Sequence, residues 1–228
     1  MTESLTSRPV QPGEPAPSFE LPAVTREGMV RLDDFRGNRP VLLGIFRGLD
    51  CPFCRRQIAA LGAVNEDLRG HGVETLAVVT TPAERARTYL RYRPMRILVA
   101  SDEERAVHRA YGLPRMEITE GETEWPRKVT FADVMAMRIN PTGELPEPMD
   151  PISASKFLDA KDGFQPEPEP AKKDEQESNA GPQFVGSFLV DRDGIVRWTF
   201  LEAVGGPSGF GRHPETKEIF SAVSSLAA

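Results

Sequence analysis

The stretch VLLGIF at 41–46, running on into RGLDCPFCRRQIAALGAVNEDLRG at 47–70, decides how this chain is read. VLLGIF is apolar without alternation, the mark of a strand covered on both faces in a parallel or mixed sheet. From Cys51 to Arg69 the period changes. Ile58, Leu61, Val64 and Leu68 form an amphipathic stripe, and Gly70 and Gly72 close the helix. Working outward, Val73 to Val79 is a second strand. Thr81-Pro82-Ala83-Glu84 starts a helix to about Tyr92, with Thr81 as cap and Pro82 in the first turn. Arg96 to Val99 reads as a third strand, and Glu103 to Tyr111 as a helix ended by Gly112 and Pro114. Ser187–Asp191 and Ile195–Phe200 flank Arg192-Asp193-Gly194, a hairpin signal, and Pro214 to Leu226 is a last helix. Upstream, Pro9, Pro12, Pro15, Pro17 and Pro22 keep the first segment extended or irregular. Strands alternating with helices imply an α/β fold with a parallel sheet, to which the hairpin adds antiparallel edge strands.

That alternation is interrupted from Arg115 to Pro182. The segment holds nine of the 21 prolines and five of the six lysines, and its 15 acidic and 8 basic residues give it a net charge of −7. Its first half carries Val129, Phe131, Val134, Met135, Met137 and Ile139, enough for a small hairpin or short helix over the domain. Its second half, QPEPEPAKKDEQESNAGP at 165–182, lacks large apolar residues and reads as a disordered or extended linker. A mobile insertion without a catalytic role is the plain reading, and a lid, partner site or gate the alternative.

The 228 residues suit one domain with an addition, at ~150 residues per domain. The expected organisation is a single domain over 1–228, with core segments 13–114 and 183–226 and an insertion at 115–182. Outside the insertion the chain is close to neutral, and the net charge of −6 offers no basic stripe for nucleic acid or an anionic membrane. No apolar run reaches the ~18 residues needed to span a bilayer, and the N-terminus lacks the pattern of a secretory signal. Two cysteines exclude a disulfide-dense scaffold.

Those two cysteines carry the chemistry. Cys51-Pro52-Phe53-Cys54 follows a buried strand and opens a helix, so residues three apart share a face and two thiols are able to close a small disulfide ring. Cys51 lies beside the free N–H groups of the helix start, which favour the reactive thiolate. It is the expected nucleophile, and Cys54, inside the first turn, the resolving thiol. Arg47, Arg55 and Arg56 are candidates to supply positive charge, while Asp50 would oppose ionisation if it faced the sulfur. Pro52 is compatible with the first turn. Half of a zinc site and inert packing thiols are the alternatives. His71, His108 and His213 form no spaced pair, so no metal is expected.

On these residues the chain resembles the peroxiredoxin group (alkyl hydroperoxide reductase and thiol-specific antioxidant) of the thioredoxin-like superfamily. GEPAPSFELPAV (13–24), RLDDFRGNRPVLLGIFRG (31–48), FRGLDCPFCRRQ (46–57), SDEERAVHRAYGLP (101–114) and GSFLVDRDGIVRW (186–198) carry the likeness. It implies a thioredoxin-like fold: a central mixed sheet flanked by helices, with the acidic Pro-rich insertion before the final β-hairpin. Two departures matter. Gly48 and Gly44 stand where the family keeps a Thr or Ser and a Pro, and Val185 is the nearest match to its later arginine, for which Arg47 is the candidate stand-in. The CPFC tetrapeptide is also similar to glutaredoxin-type sites.

The resemblance implies an antioxidant thiol oxidoreductase reducing hydroperoxides through Cys51 and Cys54, supported by Arg47, Pro52 and Arg55. Disulfide exchange on protein or small-molecule disulfides is the alternative, and a non-enzymatic redox-fold binding module a third reading. No bound cofactor is needed. The expected partners are a peroxide or disulfide, an external thiol reductant such as thioredoxin or glutathione, and a second copy in a homodimer. A reducing cytoplasm is the expected compartment.

Overall fold

The computed structural model describes residues 8–164 and 180–227. A five-stranded sheet forms its centre. Strand β3 (Val41–Phe46) leads into α1 (Pro52–Gly70), β4 (Glu74–Val79), α2 (Ala83–Tyr92), β5 (Leu98–Ser101) and α3 (Ala106–Ala110). Near the C-terminus, β9 (Gly186–Val190) and β10 (Val196–Leu201) precede α6 (Thr216–Ser224). The strand order is β10-β9-β3-β4-β5, with β3, β4 and β5 parallel and β9 antiparallel to both its neighbours. The sheet is thus mixed, as expected, but only β10 and β5 are edges. β9 pairs with β3 from Val41–Val190 to Ile45–Gly186, and all five of its residues are buried.

Alternation along β3 builds two cores, because successive side chains leave a strand on opposite faces. Leu42 and Phe46 join Ile58, Leu61 and Leu68 of α1, Ala86 and Leu90 of α2, and Ile219, Ala222 and Val223 of α6. Val41, Leu43 and Ile45 face the other way, onto Val107 and Tyr111 and the N-terminal arm with Val10, Ala16, Leu21 and Val30. That arm carries a short hairpin of β1 (Glu20–Pro22) and β2 (Met29–Arg31), and Val10, Gly13 and Ala16 donate backbone N–H groups to Tyr111, Val196 and Gly194. A Cβ at Gly44 would lie 2.5 Å from the Phe46 ring, so glycine lets that ring fold back along the strand.

Several boundaries differ from the sequence reading. Thr81 does not cap α2: Pro82 holds the N-cap position, and the Thr81 hydroxyl accepts from Leu49 N instead. The third strand begins at Leu98, two residues late, and α3 is five residues long. The Asp102 carboxylate accepts from Ala106 N and Val107 N, which starts that helix only after Arg105 has turned through φ 55°. The last helix starts at Thr216, with Glu215 as N-cap in a capping box with Glu218, leaving Pro214 outside.

The interrupting segment is more built than the sequence suggested. β6 (Arg115–Ile118) pairs in parallel with β7 (Lys128–Val129) and antiparallel with β8 (Ala180–Gln183), and α4 (Phe131–Ala136) and α5 (Pro151–Asp162) follow β7. The last residues of the linker expected at 165–182 therefore lie in β8, while 165–179 fall outside the described residues. A third apolar cluster joins Met116, Val129, Met137, Ile139, Ala154 and Leu158 to Phe53, Phe184 and Phe210. Among the described residues no helix is long and apolar enough to cross a membrane.

Candidate active site

β3 ends at Phe46, and the turn Arg47–Asp50 delivers Cys51 to the N-cap of α1. Cys51 N donates to Gly48 O at 3.1 Å, and Leu49 N to the Thr81 hydroxyl at 2.7 Å, which ties this turn to the loop after β4. At the N-cap the Cys51 backbone is extended (φ −78°, ψ 114°), and its sulfur takes the place of a capping oxygen, accepting from Cys54 N at 3.4 Å. Pro52 occupies the first helical position, where no N–H is required. Both cysteines are free thiols; Cys51 is partly exposed and Cys54 buried.

The Arg47 guanidinium lies alongside the sulfur. Its Nε donates to Cys51 Sγ at 3.4 Å, its Nη1 to Gln183 O at 2.9 Å, and Nη1 and Nη2 pair with the two oxygens of Glu202 at 2.8 and 2.9 Å. The Phe210 ring lies 5.0 Å from the guanidinium carbon. Burial works against ionising Cys51. The Cys54 thiol hydrogen bond, the Arg47 charge and N–H, and the Cys54 N–H outweigh it and bring the Cys51 pKa down to about 6. Burial, the hydrogen bond to Cys51 and the neighbouring negative charge hold Cys54 well above the ordinary thiol range. One thiol is therefore anionic at neutral pH and the other protonated, a division that follows from their places one turn apart.

Arg47 reaches the sulfur, but Arg55 and Arg56 do not supply the charge expected of them. Arg55 turns to α5, pairing with Asp159 at 2.7 Å and Asp162 at 2.8 Å, while its Nη1 donates to the Leu49 and Asp50 carbonyls. Arg56 pairs with Glu144 and Asp162. Arg55 acts as a strut: it fixes the backbone before Cys51 to α5. His213 is also placed by the structure. It is partly buried, its Nε2 lies 3.1 Å from Phe53 O, and because a carbonyl only accepts, that nitrogen carries the proton of a neutral ring. Burial lowers the His213 pKa to about 3. Among the described residues no group of three or more His, Cys, Asp or Glu is placed to hold a metal ion.

Sequence reasoning passed over Glu202, whose side chain has no exposure and which accepts from Arg47 and from Val185 N and Gly211 N. An acid closing the apolar run WTFLE looks like the solvent end of a strand. Only the antiparallel return of β10 beside β9 brings it over the sheet end where Cys51 sits. It missed Gln183 as well, the first residue of the expected second core segment, whose backbone carbonyl meets Arg47 only through tertiary contact. Gly48 is explained by crowding: a Cβ there would run into the Asp50 carboxylate and come within 3.0 Å of the Thr81 hydroxyl.

A model of the AhpC/TSA family matches residues 12–137. Peroxiredoxin Bcp of Escherichia coli K12 is 30% identical over 105 residues, which is 46% of this chain and 66% of that protein. The chain thus spans just under two thirds of the length of the curated relatives it matches. The crystal structure of Plasmodium vivax 2-Cys peroxiredoxin in its reduced form superposes with a TM-score of 0.58 at 14% identity, covering 96% of this chain and 97% of that one. Peroxidoxin BcpB from Mycobacterium tuberculosis gives a TM-score of 0.55 at 14% identity, covering 97% of both chains. These structural likenesses are of fold, and they agree with the thioredoxin-like architecture expected from the sequence.

Proposed function

Since the chain belongs to the AhpC/TSA family, we propose that it is a thiol-dependent oxidoreductase that reduces hydroperoxides through Cys51, with Cys54 as the resolving thiol. The observation that carries this reading is the pairing of an anionic Cys51 with a buried, protonated Cys54 and a guanidinium N–H 3.4 Å from the sulfur. The thiolate attacks one oxygen of R–O–O–H. The S–O bond forms as the O–O bond breaks, leaving Cys51 as sulfenic acid and the departing RO⁻ to take up a proton as ROH. The Cys54 sulfur then displaces the sulfenic hydroxyl, water leaves, and a Cys51–Cys54 disulfide remains. An external dithiol of the thioredoxin type, or glutathione, returns both thiols by exchange.

The family hydroxyl that would polarise the O–O bond is missing at Gly48, and Arg47 supports this task instead. Of its five N–H groups, four are engaged: one on Cys51, one on Gln183 O and two on Glu202. The fifth belongs to Nη2. The Glu202 pairing uses the groups between Nη1 and Nη2, so the N–H without a partner among the described residues lies on the edge shared with Nε, the edge that faces the sulfur. A peroxide oxygen attacked by Cys51 would meet that donor.

In this reading the chain is one redoxin domain with an insertion at 115–182, and it works where thiols are kept reduced. Support for the first point is that the insertion leaves and returns at one place, with Gln183 Nε2 donating to Leu113 O and Pro114 O. Stopped-flow mixing with hydrogen peroxide and with an organic hydroperoxide tests the proposal. Cys51 should be consumed far faster than free cysteine, with one peroxide used per two thiols lost. Oxidation no faster than free cysteine, alongside rapid reaction with oxidised glutathione, would transfer the assignment to disulfide exchange.

A further inference from the structure

Glu202 does not touch the reacting sulfur, yet it has the most complete set of partners near it. Four donors converge on its two oxygens: Arg47 Nη2 at 2.9 Å and Gly211 N at 2.5 Å on one, Arg47 Nη1 at 2.8 Å and Val185 N at 3.0 Å on the other. Its side chain has no exposure and that of Arg47 has 10%. A carboxylate in this place is not there to help a thiol ionise, since its negative charge opposes ionisation of Cys54. What the arrangement supplies is direction. Val185, at the entry to β9, and Gly211, in the loop after β10, fix the carboxylate to two separate backbones. The carboxylate in turn fixes the plane of the guanidinium, and a planar group held along one edge presents its other edge at a fixed angle.

We infer that Glu202 is a positioning residue for peroxide reduction, which holds the Nε–Nη2 edge of Arg47 against the Cys51 sulfur so that the unused Nη2 N–H points at the peroxide oxygen under attack. The inference rests on the peroxide reading above and adds to it the residue that sets the donor's direction. Shortening the acid by one methylene keeps the charge but cannot keep all four donors. Replacing it by an amide puts an NH2 group against N–H donors.

Two reactions separate direction from mere thiolate supply. Alkylation by iodoacetamide needs the thiolate and no oriented donor. The peroxide reaction needs both, and removal of one preorganised donor typically costs ~10²–10³ in rate. At pH 8.5, where Cys51 is ionised, E202D and E202Q should alkylate within about threefold of the unaltered protein, yet react with hydrogen peroxide at least tenfold more slowly. Peroxide and alkylation rates that fall in proportion, or a peroxide rate that does not fall, would overturn the inference. A peroxide rate no faster than free cysteine in the unaltered protein would instead overturn the peroxide reading itself. If neither variant folds, 15N spectra of arginine side chains in the unaltered protein decide. Separate Nη1 and Nη2 signals for Arg47, assigned by R47K, are expected from a clamped guanidinium, and one averaged signal would refute it.

Discussion

Replacing Arg47 by Met removes the cation and the N–H beside Cys51 while keeping an apolar stem of similar length. With the Cys51 pKa at about 6, roughly nine-tenths of the thiol is ionised at pH 7. An adjacent opposite charge is typically worth ~1–3 pKa units, so a rise of about two units is expected, which leaves about one-tenth ionised. Iodoacetamide alkylation at pH 7 should then slow about tenfold and approach the original rate above pH 9, because only the ionised fraction changes. The substitution also strands Glu202, buried without its ion partner, at a cost of ~3–5 kcal/mol. Pairing it with Glu202→Gln removes the unpaired charge and should recover part of that loss in urea unfolding. The assay is the pH profile of alkylation from pH 4.5 to 9.5, with the modified cysteine located by mass spectrometry. An Arg47→Met profile whose midpoint stays near 6 would refute the assignment of Arg47 as a main source of thiolate stabilisation.

Arg55→Met should destabilise the fold toward the lower end of ~3–5 kcal/mol, since Asp162 keeps Arg56 as a partner, and should speed hydrogen exchange in α5; the Cys51 midpoint should not move. His213, with a folded pKa of about 3, stays neutral where the unfolded chain takes up a proton. Its contribution is whole above about pH 6.5 and is lost as pH falls toward 3. Between pH 7 and 5 the unaltered protein should therefore lose about 2 kcal/mol more than His213→Gln in urea unfolding; equal losses would contradict a ring held neutral in the fold. Gly48→Thr, which restores the family hydroxyl, should destabilise by no more than ~1 kcal/mol, because the Asp50 carboxylate it meets is the exposed end of a flexible side chain, and adding Asp50→Ala should relieve most of that in thermal melts.

What was legible in the sequence was whatever is encoded locally. The unbroken apolar run at 41–46 announced a strand covered on both faces, the stripe Ile58, Leu61 and Leu68 announced α1, and Asp-Gly at 193–194 announced the hairpin. The order of elements and the two thiols one turn apart followed from these. What was not legible depends on distant pairing. β9 reads like an edge strand, yet it is interior because β10 folds back outside it. Arg55 is as close to Cys51 in sequence as Arg47 and Arg56 is one residue farther, but they leave the helix on faces that meet α5, and only tertiary contact shows which cation finds the sulfur. α5 itself was signalled and overlooked. Asp150 at the N-cap, Pro151 at the first position and Gly163 in the left-handed region after it spell out a helix.

The strand order has a consequence for synthesis. β3 gains its parallel neighbour β4 within a few dozen residues, but its other neighbour, β9, comes about 140 residues after Phe46. At ~5–20 residues per second, a nascent chain leaving the ribosome carries that open edge, apolar on both sides, for roughly 7–30 seconds. Throughout that interval the amide and carbonyl groups of Val41–Ile45 are a template for any extended segment nearby. A holdase bound to the half-made sheet would be expected to stay until Val190 emerges and then leave.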